Sequence, residues 1–386
     1  MSVDATTVRS ARLRAQHLRE PGLPDVTTAV GHLLAVQGQE LRPTFWGLNR
    51  RLRPAARTGE AATLVPLDDG NVLRTHVLRP TWHLVLPDDA RWLVELTAPR
   101  VERLMSTTEK SWGLGDPAAA IDAVVAEVEH GPRTRDQLAH TLTDQGVLAP
   151  DAPGILLTHV LMHAELQRLV VSGPRADGRH TYAPFDTRAT PGYGPLGSVF
   201  DRATAVVELW RRYLPARAYA AVKDVAQWSG LTLTELRSGL AVLLDTGEAV
   251  EVPGSGQLDG LTLVTTPEVH DAAQASGATP PVPQAGAPSG SGADLLCAYD
   301  ELLASYRETR GVLDDPRAPQ PDRVGAFVHA VLVEDRLAAR WRWPGRALPD
   351  GVGPELQWQR EPSPADLAAV ERAGTELSAY LAGTAG

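Results

Sequence analysis

The feature that most constrains this 386-residue chain is an order of elements that occurs twice. From Pro117, the residues Ile121, Val124, Val125 and Val128 mark the apolar face of one helix. Thr134 and Gln137 then read as a capping box opening a second helix. Leu156, Leu157, Val160, Leu161 and Ala164 mark a third, and LVVSGPRADGRHTYAPF (169–185) reads as two short strands around a glycine-containing tip. The order recurs in residues 201–265. A helix passes through Val206, Leu209 and Trp210, VKDVAQWSG follows, and a helix from Thr234 passes through Leu236, Leu240 and Leu243. The hairpin EAVEVPGSGQLDGLTLV closes the second set. Three helices followed by a hairpin describe a winged helix. Two in tandem predict an α+β fold of winged-helix modules, each with a small antiparallel sheet.

The flanking segments complete a plan of five parts. Residues 1–115 form a helical and β region, 116–190 and 191–270 the two winged helices, and 271–292 a flexible linker rich in Ala, Gly, Pro and Ser. Residues 293–386 form a C-terminal α/β region. In that last part LLCAYDELLASY reads as a short amphipathic helix. GAFVHAVLVEDRLAARWRW reads as a hairpin turning near Glu334-Asp335-Arg336, and its far strand carries Arg340 and Trp341, an aromatic and basic pair of the kind that touches nucleic acid. Cys297 is the only cysteine, which excludes a disulfide framework and a thiolate metal site. No run is long and apolar enough to span a membrane, so a cytoplasmic monomer is the expectation. The net charge of −10 excludes indiscriminate binding to nucleic acid. A DNA-binding chain of this composition must segregate arginines from carboxylates.

Residues 33–53, LLAVQGQELRPTFWGLNRRLR, carry the densest polar signal. An apolar helical run from Val30 to Val36, with Asp25 placed to cap its start, meets Gln37-Gly38-Gln39, and Gly38 reads as the helix C-cap. Beyond the break, an i, i+2 spacing turns both amides to one side. Arg42, Arg50, Arg51, Arg53 and Arg57 follow with no acidic residue between them. Residues 72–86 read as a strand pair, or one strand broken at Pro80, with Arg79, Thr81 and His83 sharing a face. Uncharged amides beside an arginine cluster point to a polar pocket next to a polyanion.

Three familiar sites fail on their context. GYGPLG (192–197) matches a dinucleotide fingerprint by letter, but Pro195 lies inside it and no strand leads into it, so it reads as a turn. His159 and His163 are one turn apart on a helix, yet no third ligand is evident, so the pair reads as packing and no metal is expected. There is no phosphate-binding P-loop, and no cofactor is expected.

Taken together, the tandem winged helices, the Gln-x-Gln after an early apolar helix and LRTHVLRPTWHLVLPDDARWL resemble the AlkZ-like winged-helix DNA glycosylases. RRYL…DVAQWSGL, LLCAYDELLASYRETRGVL and FVHAVLVEDRLAARW extend the resemblance over nearly the whole chain. It implies removal of bulky alkylated bases, N7-alkylguanine among them, and unhooking of interstrand crosslinks, in a setting of DNA repair or self-resistance to an alkylating natural product. Gln37 and Gln39 match the family's catalytic pair, and Arg79, Thr81 and His83 its Arg-Gly-Thr-Leu-His strand. Arg42, Arg50, Arg51, Arg53, Arg340 and Trp341 are the accompanying candidates for contact with double-stranded DNA. Gly38 between the glutamines, and Pro80 and Trp82 in the strand, depart from the family pattern. An amide is neither acid nor base near neutral pH, so two glutamines can only orient and polarise a water. That suffices for a cationic N7-alkylguanine, whose glycosidic bond is already weakened. No activated lysine is evident, so hydrolysis without a lyase step is expected. The competing readings are a winged-helix transcription regulator without catalysis and a protein that sequesters a DNA-damaging compound.

Overall fold

The computed structural model describes residues 2–111, 116–277, 292–318, 327–346, 348–349 and 352–384. In the N-terminal region, helices α1 (Ala5–Ala15) and α2 (Val26–Leu33) precede strand β1 (Ala35–Gln37) and helix α3 (Leu41–Arg50). The single-turn helices α4 (Glu60–Thr63) and α5 (Val65–Asp68) lead to strands β2 (Leu73–His76) and β3 (Trp82–Val85) and the long helix α6 (Pro87–Ser111). The three strands form an antiparallel sheet in the order β1-β3-β2.

Asp25 does cap α2, accepting from Thr28 N at 2.7 Å. The helix ends earlier than the sequence predicts. Leu34 adopts a left-handed φ of 63° and the chain turns into β1, so Gly38 is not the C-cap. The physical reason is that all of Leu33–Gly38 is buried, and an unbroken apolar run does not distinguish helix from buried strand.

The repeated unit is present twice in the chain. Helices α7 (Ala118–Glu129), α8 (Arg135–Asp144) and α9 (Gly154–Leu166) carry the short strand β4 (Arg133–Thr134) before α8, and the hairpin β5 (Val170–Ser172) and β6 (Thr181–Pro184) follows. Helices α10 (Arg202–Arg217), α11 (Val222–Ser229) and α12 (Leu233–Asp245) are followed by β7 (Val250–Pro253) and β8 (Thr262–Thr265). A bridge between Ala220 and Val264 stands where β4 pairs with β6 in the first unit. Each unit also has a reciprocal capping box. Thr134 and Gln137 exchange bonds of 2.8 and 3.3 Å at the start of α8, and Thr232 and Glu235 bonds of 3.0 and 3.2 Å at the start of α12. Each cap contributes on the order of 1 kcal/mol.

Helix α13 (Pro267–Gly277) occupies the start of the expected linker, and residues 278–291 of that linker lie outside the described residues. The segment read as one amphipathic helix is strand β9 (Ala293–Leu296) and then the one-turn helix α14 (Glu301–Ala304). Here too a short apolar run proves to be a buried strand. Strands β10 (His329–Val333) and β11 (Arg336–Trp341) form the expected hairpin, turning through Glu334 and Asp335, both at positive φ. With β12 (Leu356–Trp358) they complete a sheet ordered β12-β11-β10-β9, and α15 (Pro364–Ala382) packs on it. No described helix is long and apolar enough to cross a membrane.

Two contacts position the site. Trp46 of α3 inserts into the core of the C-terminal sheet and donates from Nε1 to Leu295 O at 2.8 Å, joining the two ends of the chain. Gly230, the left-handed cap of α11, approaches the loop between β2 and β3 so closely that a Cβ there would lie 2.6 Å from Leu78 O. Only glycine permits both the φ of 73° and that approach.

Candidate active site

Gln37 sits at the end of edge strand β1, opposite His83 on β3, and is 5% exposed. Its main-chain N–H donates to Glu301 Oε1 at 3.0 Å, and its main-chain carbonyl accepts from Thr44 Oγ1 at 3.1 Å. Arg79 Nη2 donates to its side-chain Oε1 at 2.7 Å. A guanidinium offers only donors, so this bond fixes which end of the amide is oxygen. The second lone pair of Oε1 and the NH2 remain for a water or a substrate.

Arg79 is aimed by the loop that carries it. Residues 77–81 turn tightly, with Arg79 N on Val77 O and Thr81 N on Arg79 O, each at 2.7 Å. His83 then fixes the guanidinium from behind. Its Nδ1 faces the Thr81 carbonyl at 2.9 Å and must carry the proton, so Nε2 accepts from Arg79 Nη2 at 3.4 Å. Burial, reinforced by the Arg79 charge, pushes the His83 pKa well below its ordinary value. His83 is therefore a neutral, fully buried positioning residue rather than a DNA contact. Sequence alternation put it on one strand face with Arg79 and Thr81, but those two lie on the connecting loop.

Glu301 anchors the site from the C-terminal region. It is buried, and its Oε2 accepts from Arg217 Nη2 at 2.9 Å, Trp228 Nε1 at 2.8 Å and Ser305 Oγ at 2.7 Å. Burial alone would raise its pKa. Arg217 and Arg79 outweigh that and hold the carboxyl below the usual range, so it is ionised. Nothing in the sequence patterning singled out Glu301. The available signal was an acidic residue inside the apolar stretch YDELLASY, which belongs to a segment that carries the family resemblance.

Gln37, Arg79 and Thr81 line a cavity of about 440 Å³ together with Gln227, Tyr299, Tyr306, Arg307 and Arg310. None of the described residues lining it is a carboxylate or a lysine. Arg79, Thr81, Gln227 and Arg307 also line an adjoining groove of about 990 Å³, where Arg100 and Lys223 add positive charge and Glu308 is the one acid. Arg79, Arg100, Lys223, Arg307 and Arg310 are the basic residues that line the cavity and the groove. Gln39 is exposed and is not part of the cavity wall. Its Oε1 accepts from Trp82 N at 3.4 Å, and Trp82 is stacked under Arg74.

Most of the arginine cluster has another role. Arg50 and Arg51 are buried, Arg50 against Glu376 and Asp294, and Arg51 on Asp300 at 2.7 Å. Neither reaches DNA, because carboxylates distant in sequence already hold them. Arg42 holds Glu60 through two bonds of 2.6 Å and is partly exposed, while Arg53 is exposed. Arg340 is buried with Nη1 on Val328 O at 3.2 Å, and Trp341 is wholly buried with Nε1 on Leu296 O at 2.9 Å. The aromatic and basic strand end is thus part of the C-terminal core. Arg100, Lys223, Arg307 and Arg310, dispersed in sequence, were missed.

Two buried neutral histidines set an acid limit. Burial lowers the His329 pKa to about 4, and that of His83 lies well below normal. The unfolded chain takes up these protons as pH falls past about 6.5, and the folded chain does not until far lower. Stability is therefore full above pH 6.5 and declines as pH falls toward and through the folded values. Each histidine costs about 1.4 kcal/mol per pH unit within its window. Denaturant midpoints should fall steadily between pH 6.5 and 5, and a flat profile would contradict neutral burial.

A buried amide on a sheet edge, a guanidinium that fixes it, and a cavity opening into a basic groove thus lie together beside α11 of the second helix–hairpin unit. Comparison with known proteins gives the family. The model described as "DNA glycosylase AlkZ-like" matches residues 30–380, and the chain belongs to that family. Among solved structures, the Streptomyces sahachiroi DNA glycosylase AlkZ matches with a TM-score of 0.68 at 17% identity, covering 100% of this chain and 98% of that one. The two share the fold. A comparison with curated protein sequences finds no match.

Proposed function

We propose that this protein is a monofunctional DNA glycosylase that hydrolyses the N-glycosidic bond of N7-alkylguanine, as bulky monoadducts or within interstrand crosslinks, in double-stranded DNA. The observation that supports it most is a cavity walled by Gln37 and lined by no carboxylate. Without a general acid, the leaving base must already be activated, and a guanine alkylated at N7 is cationic and leaves unaided. Gln37 orients the attacking water through its free lone pair and NH2, with Gln39 as its partner from the exposed side. A crosslinked base cannot leave the duplex fully, and an open cavity continuous with a groove suits a lesion that is held rather than swallowed.

A cation as well as an amide would face the lesion, because Arg79 touches Gln37. Glu301 offsets part of that charge. The phosphates flanking the lesion would offset the rest, with Arg79, Arg307 and Arg310 as their partners. Arg79→Ala should therefore weaken binding to lesion and plain duplex alike and flatten the logarithmic salt dependence by about one unit. An unchanged salt slope would place Arg79 away from phosphate.

The direct test is base release from duplex DNA carrying an N7-alkylguanine, followed over many turnovers with the wild type and Lys223→Ala. Lys223 lines the groove but not the cavity, and its ammonium pairs with Glu308 Oε1 at 2.6 Å. Both proteins should leave intact abasic strands at similar rates. Strand nicking that disappears in Lys223→Ala would reveal a lyase, and no release from any N7 adduct would remove the substrate assignment.

A further inference from the structure

Away from the Gln37 cavity, and sharing no residue with it, three metal-ligating side chains converge in the first helix–hairpin unit. His159 and His163 lie one turn apart on α9, and Glu109 reaches them from the last turns of α6. His159 Nδ1 and His163 Nε2 approach the same oxygen, Oε1 of Glu109, at 3.1 and 2.7 Å. One ligand atom from each of the three lies within 4.8 Å of the others. The sequence offered the histidine pair without a third ligand, and the fold supplies it from 50 residues upstream. The group opens on a small cavity of about 160 Å³ whose wall also includes Asp116.

We propose that Glu109, His159 and His163 form a binding site for a divalent cation of the zinc class, with its fourth position open to water or to Asp116. Two imidazoles and a carboxylate are a borderline donor set, suited to zinc rather than to magnesium or calcium. Bonds of about 2.0–2.1 Å in a tetrahedron hold neighbouring ligand atoms about 3.3 Å apart. The two nitrogen–oxygen separations, 3.1 and 2.7 Å, fall short of that by about half an ångström or less, and all three atoms lie within 4.8 Å of one another, so a cation enters by moving the three side chains apart around it. The cavity leaves room for the remaining ligand. Because the ligands come from α6 and α9, the ion fastens this unit to the long helix that borders the rest of the molecule. The alternative is a plain ion pair in which one carboxylate oxygen accepts from two imidazoles, and that arrangement has no affinity for zinc.

The test uses full-length protein without a histidine tag, stripped with chelator and titrated with Zn²⁺ in a calorimeter at neutral pH. One ion should bind per chain, with micromolar or tighter affinity. At a free concentration about a hundredfold above Kd, the thermal midpoint should rise by roughly 3–5 °C. Co²⁺ in place of zinc should give the visible bands of a four-coordinate site. Glu109→Gln and His163→Asn should each weaken Zn²⁺ binding at least tenfold, whereas His140→Ala, at an exposed histidine elsewhere on the unit, should not. Either variant suffices if the other fails to fold. The absence of stoichiometric binding, or an affinity unchanged in the folded ligand variants, would overturn the proposal.

Discussion

Gln37→Ala should lower single-turnover base release by roughly 10²–10³-fold, the scale typical of losing one positioned polar group at a reacting centre. Affinity for lesion-bearing duplex should stay within a few fold, because phosphate contacts come from arginines that the substitution leaves in place. Gln39→Ala should act in the same direction but less, since Gln39 is exposed and is not part of the cavity wall. Gel-based single-turnover rates, paired with fluorescence anisotropy on the same duplex, separate the two effects. If release and affinity fell together in Gln37→Ala, the residue would be a binding group, and the water-orienting role would have to be given up.

The second large effect is on stability. Glu301→Gln should destabilise the protein by about 3–5 kcal/mol, because Arg217 is fully buried and would be left with its charge uncompensated. Arg217 also makes cation–π contacts with Tyr213 and Trp228. Replacing both partners, as in Arg217→Met with Glu301→Gln, should recover part of the loss, since the desolvated charge goes as well. Urea midpoints of the two single variants and the double variant close the cycle. A Glu301→Gln protein within about 1 kcal/mol of wild type would mean that water reaches Arg217, contrary to its burial.

The sequence made the periodic parts of this fold legible and left the convergent parts obscure. The Thr232-x-x-Glu235 cap of the second helix–hairpin unit went unread. Both units could nonetheless be read from apolar spacing, and the first also from its matching Thr134-x-x-Gln137 cap, because those signals are local. Gln37 stood out for the same reason: a polar residue ends an apolar run. The arginines misled because local sequence cannot show which carboxylate a side chain will meet. Arg50 and Arg51 look available beside one another, yet Asp294 and Asp300 arrive from some 240 residues away. Trp341 misled similarly, since alternation alone does not say which side of a hairpin is covered, and here α15 and Trp46 cover it. Arg307 and Arg310 escaped notice because they come from a loop and a single 3-10 turn after α14, too short to carry a period.

The bond from Gln37 N–H to Glu301 has a consequence for when activity appears as the chain is made. The amide, the guanidinium that fixes it and the carboxylate that anchors its backbone are translated as residues 37, 79 and 301. Both helix–hairpin units are complete by residue 265. A nascent or prematurely terminated chain ending before residue 301 would therefore carry both helix–hairpin units but lack the C-terminal wall of the Gln37 cavity, with Arg217 deprived of its Glu301 partner. Such a product should be poorly stable and open to proteolysis. A partial chain would then be cleared rather than persist, and the late arrival of Glu301 makes completion of the proposed site coincide with the gain of stability.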